Sequence, residues 1–255
     1  MKRVLTALVL IPLVVSIVIW GPSPVVFGVV TLCAMLCYRE YCAIAAGYGI
    51  GTLGPMGYAA GLGVLALNDE AALFLTIVAL AGISLAMRSA DLSETLPRAS
   101  TMLLGVVYIF GAWKCAILLR SINPHWLLFA LAINWVGDIF AYYVGKSMGT
   151  HKLAQRISPG KTWEGAIASL IASIAFGVMY LNHFLPGTAI VEAVAISALA
   201  NVAGQLGDLA ESALKRGAGV KDSGALLPGH GGLLDRVDST LFCLPAVYVV
   251  VRLMK

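Results

Sequence analysis

Residues 4–20 run for 17 positions without a charged side chain, and eight further apolar stretches follow, at 23–46, 51–67, 70–87, 99–119, 125–146, 163–181, 189–214 and 238–254. A helix rises about 1.5 Å per residue, so about 20 apolar residues cross the hydrocarbon core of a bilayer. A water-soluble fold could not cover nine such stretches. Of the whole chain, 60% is hydrophobic and 12% charged, against roughly half and about a quarter in soluble domains. The sequence therefore predicts an all-α polytopic membrane protein with about nine transmembrane helices. Asn68-Asp69 alone separates the third stretch from the fourth. The alternating strand pattern of a membrane barrel is absent.

Other classes fall on the same ground. Seventeen basic and 13 acidic residues are too few for a nucleic-acid-binding surface, so no nucleic acid is expected as a partner. The five cysteines, Cys33, Cys37, Cys42, Cys115 and Cys243, form no C-x-x-C pair and lie mostly in apolar runs. They read as small packed hydrophobes rather than as disulfides or a zinc site. Met1-Lys2-Arg3 before an apolar run resembles a secretory leader, but no small-residue cleavage site follows, so residues 4–20 are expected to remain as a first helix. With that end cytoplasmic, 13 Lys and Arg residues fall on one side of the membrane and 3 on the other, Lys114 lying within a span. The bias orients the chain N-terminus in. It also puts the two longest polar segments, 146–162 and 215–237, on the cytoplasmic side.

Five of the 13 acidic residues lie between Asp208 and Asp238. Ionisable groups at membrane helices are costly and are retained where they face a cavity or one another. Gly204, Asp208, Glu211, Ser212 and Lys215 share one face of a helix by their spacing, and Asp208 lies too deep to be a solvated helix end. A glycine-rich stretch follows, 217–232, with six glycines interleaved with Lys221, Asp222 and His230. Glycine allows close backbone approach, and successive N–H groups form anion-binding nests. Asp235 and Asp238 are three residues apart. With Asp208 they offer hard oxygen ligands suited to Mg²⁺ together with substrate phosphates; an N-terminal cap on the last helix is the competing role for Asp235.

A second polar set ends the sixth span, where Asn134, Asp138, Tyr142 and Gly145 recur at helical spacing before Lys146. The following loop contains Ser158, Lys161, Thr162 and Glu164. Gly160-Lys161-Thr162 is not a P-loop, because Gln155 stands where the motif needs its first glycine and a preceding strand is required. What remains is a basic, hydroxyl-bearing segment suited to phosphate, or positive-inside charge with Ser158 or Thr162 capping the next helix. His125, His183, Trp20, Trp126 and Tyr180 read as interfacial groups. Arg39-Glu40 and Lys114 read as helix-to-helix pairing.

The segment from Ser212 through Lys215-Arg216, Lys221-Asp222, Gly224, Leu227-Pro228 and His230-Gly231-Gly232-Leu233 to Asp235-Arg236-Val237-Asp238 resembles the 27-residue signature of phosphatidate cytidylyltransferases, also called CDP-diacylglycerol synthases. Asp138, Tyr142 and Gly145-Lys146, and the run from Ile157 to Gly165, are similar to the same family. The resemblance implies transfer of CMP from CTP to phosphatidic acid, with release of pyrophosphate, at the cytoplasmic face of a cell inner membrane. It implies a catalytic set of Asp208, Lys215, Asp235 and Asp238, with Mg²⁺ at Asp208 and Asp235 and K⁺ as an accompanying ion. Substrate contacts would come from Asp138, Lys161, Thr162, Ser212, Arg216, Lys221, Asp222, His230, Gly231, Gly232 and Arg236. On this reading residues 1–120 supply about five N-terminal spans and 121–255 a catalytic domain of about four. Membrane lipid is the second partner, and a homodimer is compatible with the reading.

The residues support that chemistry without a nucleophilic side chain, since a phosphate monoester is itself a competent oxyanion. The site must bring two polyanions together and neutralise the leaving group. Lys215, Arg216, Lys221 and Arg236 would hold phosphates, and the glycine-rich backbone would add N–H donors. The alternatives are a CTP-dependent polyprenol or lipid kinase, in which the γ-phosphoryl moves, and a secondary transporter. The transporter fits less well, because the charges gather at one membrane face and the first half has no matching broken helices.

Overall fold

A computed structural model describes residues 2–67, 71–226 and 231–254, with side chains from residue 10 onward except at 71 and 72. Asn68-Asp69, the signature residues Leu227, Pro228 and His230, and the side chains of Lys2, Arg3 and Lys255 lie outside the described residues.

The elements are helices α1 (Lys2–Trp20), α2 (Ser23–Gly47), α3 (Gly54–Ala66), α4 (Ala71–Ala86), α5 (Thr95–Gly105), α6 (Ala112–Ile122) and α7 (Pro124–Met148), strands β1 (Lys152–Ala154) and β2 (Ser158–Thr162), then α8 (Trp163–Phe184), α9 (Ile190–Gly217) and α10 (Leu234–Leu253). A π-helical turn, Val106–Gly111, joins α5 to α6 without a break. Among the described residues, each apolar stretch read from the sequence overlaps a helix. By length and composition, five described segments can cross a membrane: Ser23–Gly47, Leu92–Ile122, Pro124–Met148, Trp163–Phe184 and Ile190–Gly217. The chain is thus a helical protein with multiple apolar spans. Of the remaining helices, α3 has only 13 residues, about 20 Å of rise, and α10 carries Asp235, Arg236, Asp238 and Arg252.

The chain divides into two compact units. The first comprises Met1–Pro22, Cys115–Ala213 and Val237–Lys255. In it α7 and α8 pack along their length, and α1 also packs on α7. Close approach rests on small residues, as is usual between membrane helices. A Cβ on Gly137 would lie 2.6 Å from the Ser169 hydroxyl and 2.7 Å from the Asn201 amide. Into that space Asn201 donates to Ser169 and Ser173, both at 2.9 Å, and accepts from Gln205 at 2.6 Å. Trp163, Ile167, Ile171 and Met179 are each more than half exposed on α8, at spacings that make an exposed apolar stripe.

Two sequence expectations change here. Trp126 and Tyr180 are not interfacial anchors but buried residues, 7% and 8% exposed. The Tyr180 hydroxyl is satisfied by His125 Nδ1 at 3.0 Å, and its ring packs among Phe129, Phe176 and Phe184. The polar segment after α7 is not plain loop either. It folds into an antiparallel hairpin pairing Lys152 with Thr162 and Ala154 with Ser158, so the fold is all-α except for this one element among the described residues.

The second unit comprises Ser23–Lys114 and Leu214–Arg236. Its core joins α2, α3, α5 and the π turn through Tyr38, Tyr41 and Phe110. Gly61 has no side chain because the Phe110 ring occupies that space. Lys114 donates to the Leu65 carbonyl at 2.8 Å, one of the acceptors left open at the end of α3, so its helix-to-helix role holds.

Candidate functional site

The first unit holds a cleft of about 530 Å³ walled by Asp138, Tyr142 and Lys146 of α7, Lys161 and Thr162 of the hairpin, Ser169 of α8 and Gln205 and Asp208 of α9. The hairpin's base is fixed by Glu164, in the first turn of α8. It accepts from Thr150 Oγ1 at 2.7 Å and from the His151 backbone N–H at 3.1 Å, and its Oε1 lies 2.7 Å from His151 Nδ1. The Trp163 N–H donates to the His151 carbonyl at 2.9 Å. Thr162 turns the strand into α8, its hydroxyl capping the helix by accepting from the Gly165 N–H at 3.2 Å. Lys161, one residue earlier, reaches Asp208, with Nζ 2.6 Å from Oδ2. Ser212 donates to the other Asp208 oxygen at 3.3 Å. Lys146 stands 5.7 Å from the centre of the Tyr142 ring, a cation–π contact. The cleft thus brings together Asp138, Lys161, Thr162 and Asp208. Asp238 lies in the same unit, its Oδ1 accepting from the Ser239 N–H at 2.7 Å.

The second unit holds the signature loop. Lys215 and Asp235 form a buried pair, Nζ to Oδ1 2.5 Å, with side chains 10% and 6% exposed. Asp235 also accepts from the backbone N–H groups of Ser223 at 3.0 Å and Gly232 at 2.8 Å. Burial alone would raise its carboxyl; the Lys215 hydrogen bond, the two N–H donors and the Lys215 charge outweigh that and hold it below the usual carboxylate range. Gly231 adopts φ +78°, and a Cβ there would lie 2.6 Å from Asp235 Oδ2, so this position requires glycine. Arg216 donates to the Val220 carbonyl at 3.2 Å. Lys221, Asp222 and Arg236 are exposed.

One carboxylate in this cluster is assigned by the sequence to helix-to-helix pairing and not to the site. Glu40 of α2, 7% exposed, accepts from Ser223 Oγ at 3.0 Å and from the N–H groups of Leu233 at 3.0 Å and Leu234 at 2.7 Å. It binds the loop and the N-terminus of α10, not a neighbouring helix face. The signal was present, because an acidic residue in an apolar stretch is a candidate by the same criterion that selected Asp138. The expected use of the loop's backbone donors also changes. The N–H groups of Ser223, Gly232, Leu233 and Leu234 bind the protein's own carboxylates, Asp235 in the first turn of α10 reaching back to Ser223 and Gly232 and Glu40 taking the Leu233 and Leu234 donors.

A family model described as the cytidylyltransferase family matches residues 1–254. The chain belongs to the cytidylyltransferase family. Similar proteins include the phosphatidate cytidylyltransferases of Staphylococcus haemolyticus, 41% identical over 152 residues, of Staphylococcus aureus, 42% over 154, and of Bacillus subtilis, 40% over 154. These matches cover 60%, 60% and 59% of this chain. The chain spans 58%, 58% and 57% of those relatives' own lengths.

The chemistry of the donors decides how well Mg²⁺ suits the family's carboxylates. Among the described residues, no group of three or more His, Cys, Asp or Glu is placed to share a metal ion, but Mg²⁺ ordinarily takes one or two carboxylates and completes its shell with phosphates and water. Asp208 fits: its side chain is 31% exposed on the wall of an open cleft. Asp235 has both oxygens on protein donors, so it would hold a metal only where the Lys215 ammonium gave way.

Proposed function

We propose that this chain is a phosphatidate cytidylyltransferase, transferring CMP from CTP to phosphatidic acid to give CDP-diacylglycerol. The observation that carries the proposal is the cleft with Lys161 against Asp208, in a chain whose family is named for cytidylyl transfer and whose relatives are named phosphatidate cytidylyltransferases. A phosphate oxygen of the lipid attacks the α-phosphorus of CTP, the α–β phosphoanhydride bond breaks, and pyrophosphate leaves with the electron pair. Lys161 and Lys146 are suited to bind the triphosphate, and Asp208 keeps the Lys161 ammonium oriented before the nucleotide arrives. In the other cluster Lys215, Arg216, Lys221 and Arg236 are suited to phosphate, and Asp235 orients Lys215. Asp208 is the proposed holder of Mg²⁺ in the first unit and Asp235, in place of the Lys215 ammonium, in the second; with K⁺ alongside, the ion would supply charge neutralisation on the phosphate oxygens. Hydroxyls of Ser212 and Thr162 and the side chains of Asp138, Asp222 and Asp238 complete the proposed polar set.

About nine spans, a cytoplasmic N-terminus and a cytoplasm-facing site in an inner membrane belong to the same proposal, supported by the 13-to-3 placement of Lys and Arg; a homodimer is compatible with it. The test is turnover of phosphatidic acid by purified protein with Mg²⁺ and CTP labelled separately at the α and γ phosphates. α-Label in lipid with release of pyrophosphate supports the proposal. γ-Label in lipid would indicate a kinase, and no turnover would overturn both. Asp235→Asn should abolish product formation; wild-type turnover in that variant refutes the metal assignment.

A further inference from the structure

We propose that Glu40 is a positioning residue for the signature loop, a role that rests on the activity proposed above. Ser223 is the point where the two carboxylates meet the loop. Its N–H is held by Asp235 and its hydroxyl by Glu40, so one residue is clamped between carboxylates from two parts of the chain. Asp235 belongs to the signature. Glu40 is 183 residues away from Ser223, in a helix to which no part of the signature belongs.

Glu40 also takes the N–H groups of Leu233 and Leu234, which are donors left open at the start of α10. A carboxylate at a helix N-terminus is favourable with the helix dipole, and its burial requires such donors. The glycines at the contact leave room for it. A Cβ on Gly224 would lie 2.9 Å from one Glu40 oxygen and on Gly232 2.5 Å from the other. Glu40 therefore fixes the loop at two points, Ser223 beside Lys221-Asp222 and Leu233-Leu234 beside Asp235-Arg236. Its effect on catalysis is indirect: it sets where those charged residues stand.

The test uses the full chain in detergent with Glu40→Gln, Glu40→Asp, Ser223→Ala and the Glu40→Gln/Ser223→Ala double variant. Steady-state kinetics with CTP and phosphatidic acid are read beside thermal unfolding and hydrogen exchange of 218–226 and 231–236. Losing a residue that orients a metal-binding group costs on the order of 10- to 100-fold in affinity or activity, and a loss in that range is expected for Glu40→Gln. It should fall on kcat more than on the KM for CTP, with faster exchange in the loop and an unfolding midpoint lowered by no more than a few degrees. Glu40→Asp should retain more activity than Glu40→Gln. The double variant should lose less than the product of the single losses, because both act through one clamp.

Unchanged kcat in Glu40→Gln overturns the proposal, as do multiplicative losses or a loss that follows the unfolding midpoint. If Glu40→Gln does not fold, Ser223→Ala carries the test, with faster exchange and lower kcat expected and normal values refuting. If the wild type makes no CDP-lipid, the functional reading falls on that result alone. The exchange measurements then still decide whether Glu40 clamps the loop.

Discussion

Replacing Lys161 with alanine separates the two roles available to that side chain. In the free protein Lys161 and Asp208 are 2.6 Å apart and 26% and 31% exposed. An ion pair with that much solvent access contributes up to about 1 kcal/mol to folding, or about 2–4 °C in the unfolding midpoint of a chain this size. A lysine donating to a nucleotide phosphate makes a charge-assisted bond worth about 1.5–3 kcal/mol. At about 1.4 kcal/mol per factor of ten, its loss raises the KM for CTP about 10- to 140-fold. The assay is release of labelled pyrophosphate at varied CTP and saturating phosphatidic acid, beside thermal unfolding in the same detergent. Lys161→Arg should recover much of the loss by keeping the charge. An unchanged KM for CTP in a folded Lys161→Ala protein would show that the lysine only neutralises Asp208, and the cleft would lose its assignment to the nucleotide.

Asn201→Leu removes three hydrogen bonds inside the first unit. At about 0.6 kcal/mol for each polar contact between membrane helices, it should destabilise that unit by about 2 kcal/mol, measured by denaturant unfolding in mixed micelles. Gly231→Ala puts a side chain at φ +78° against Asp235, a strain of about 1–2 kcal/mol. Turnover should fall while the unfolding midpoint stays within a few degrees. Chelation with EDTA should stop turnover, and added Mg²⁺ should restore it.

The helices were legible because lipid imposes a single requirement, a run of apolar residues long enough to satisfy the backbone internally. The residues of the cleft were legible because charge is expensive near lipid, so Asp138 and Asp208 stood out from their surroundings. Tertiary partnership was not legible. Nothing local to Trp126 or Tyr180 distinguishes a belt aromatic from one packed against Phe129. Periodicity could not show the hairpin, since strands of 3 and 5 residues are too short for alternation to register. The glycine-rich loop read as a nest waiting for phosphate because no partner for its amides can be read from the segment itself. Two of those partners are the carboxylates of Asp235, nearby, and Glu40, in a helix from the other end of the chain.

That distance has a consequence for biogenesis. At synthesis rates of about 5–20 residues per second, the 183 residues between Glu40 and Ser223 take about 10–40 s to follow. During that interval α2 must enter the bilayer carrying a carboxylate whose permanent donors have not yet been made. A charged side chain costs up to about 3 kcal/mol at mid-bilayer and less toward the end of a span, where Glu40 lies. The N-terminal helices therefore wait, incompletely satisfied, for the nascent chain to deliver the loop that completes them. A truncation ending before residue 223 should leave α2 a substrate for membrane quality control, even with every N-terminal span inserted.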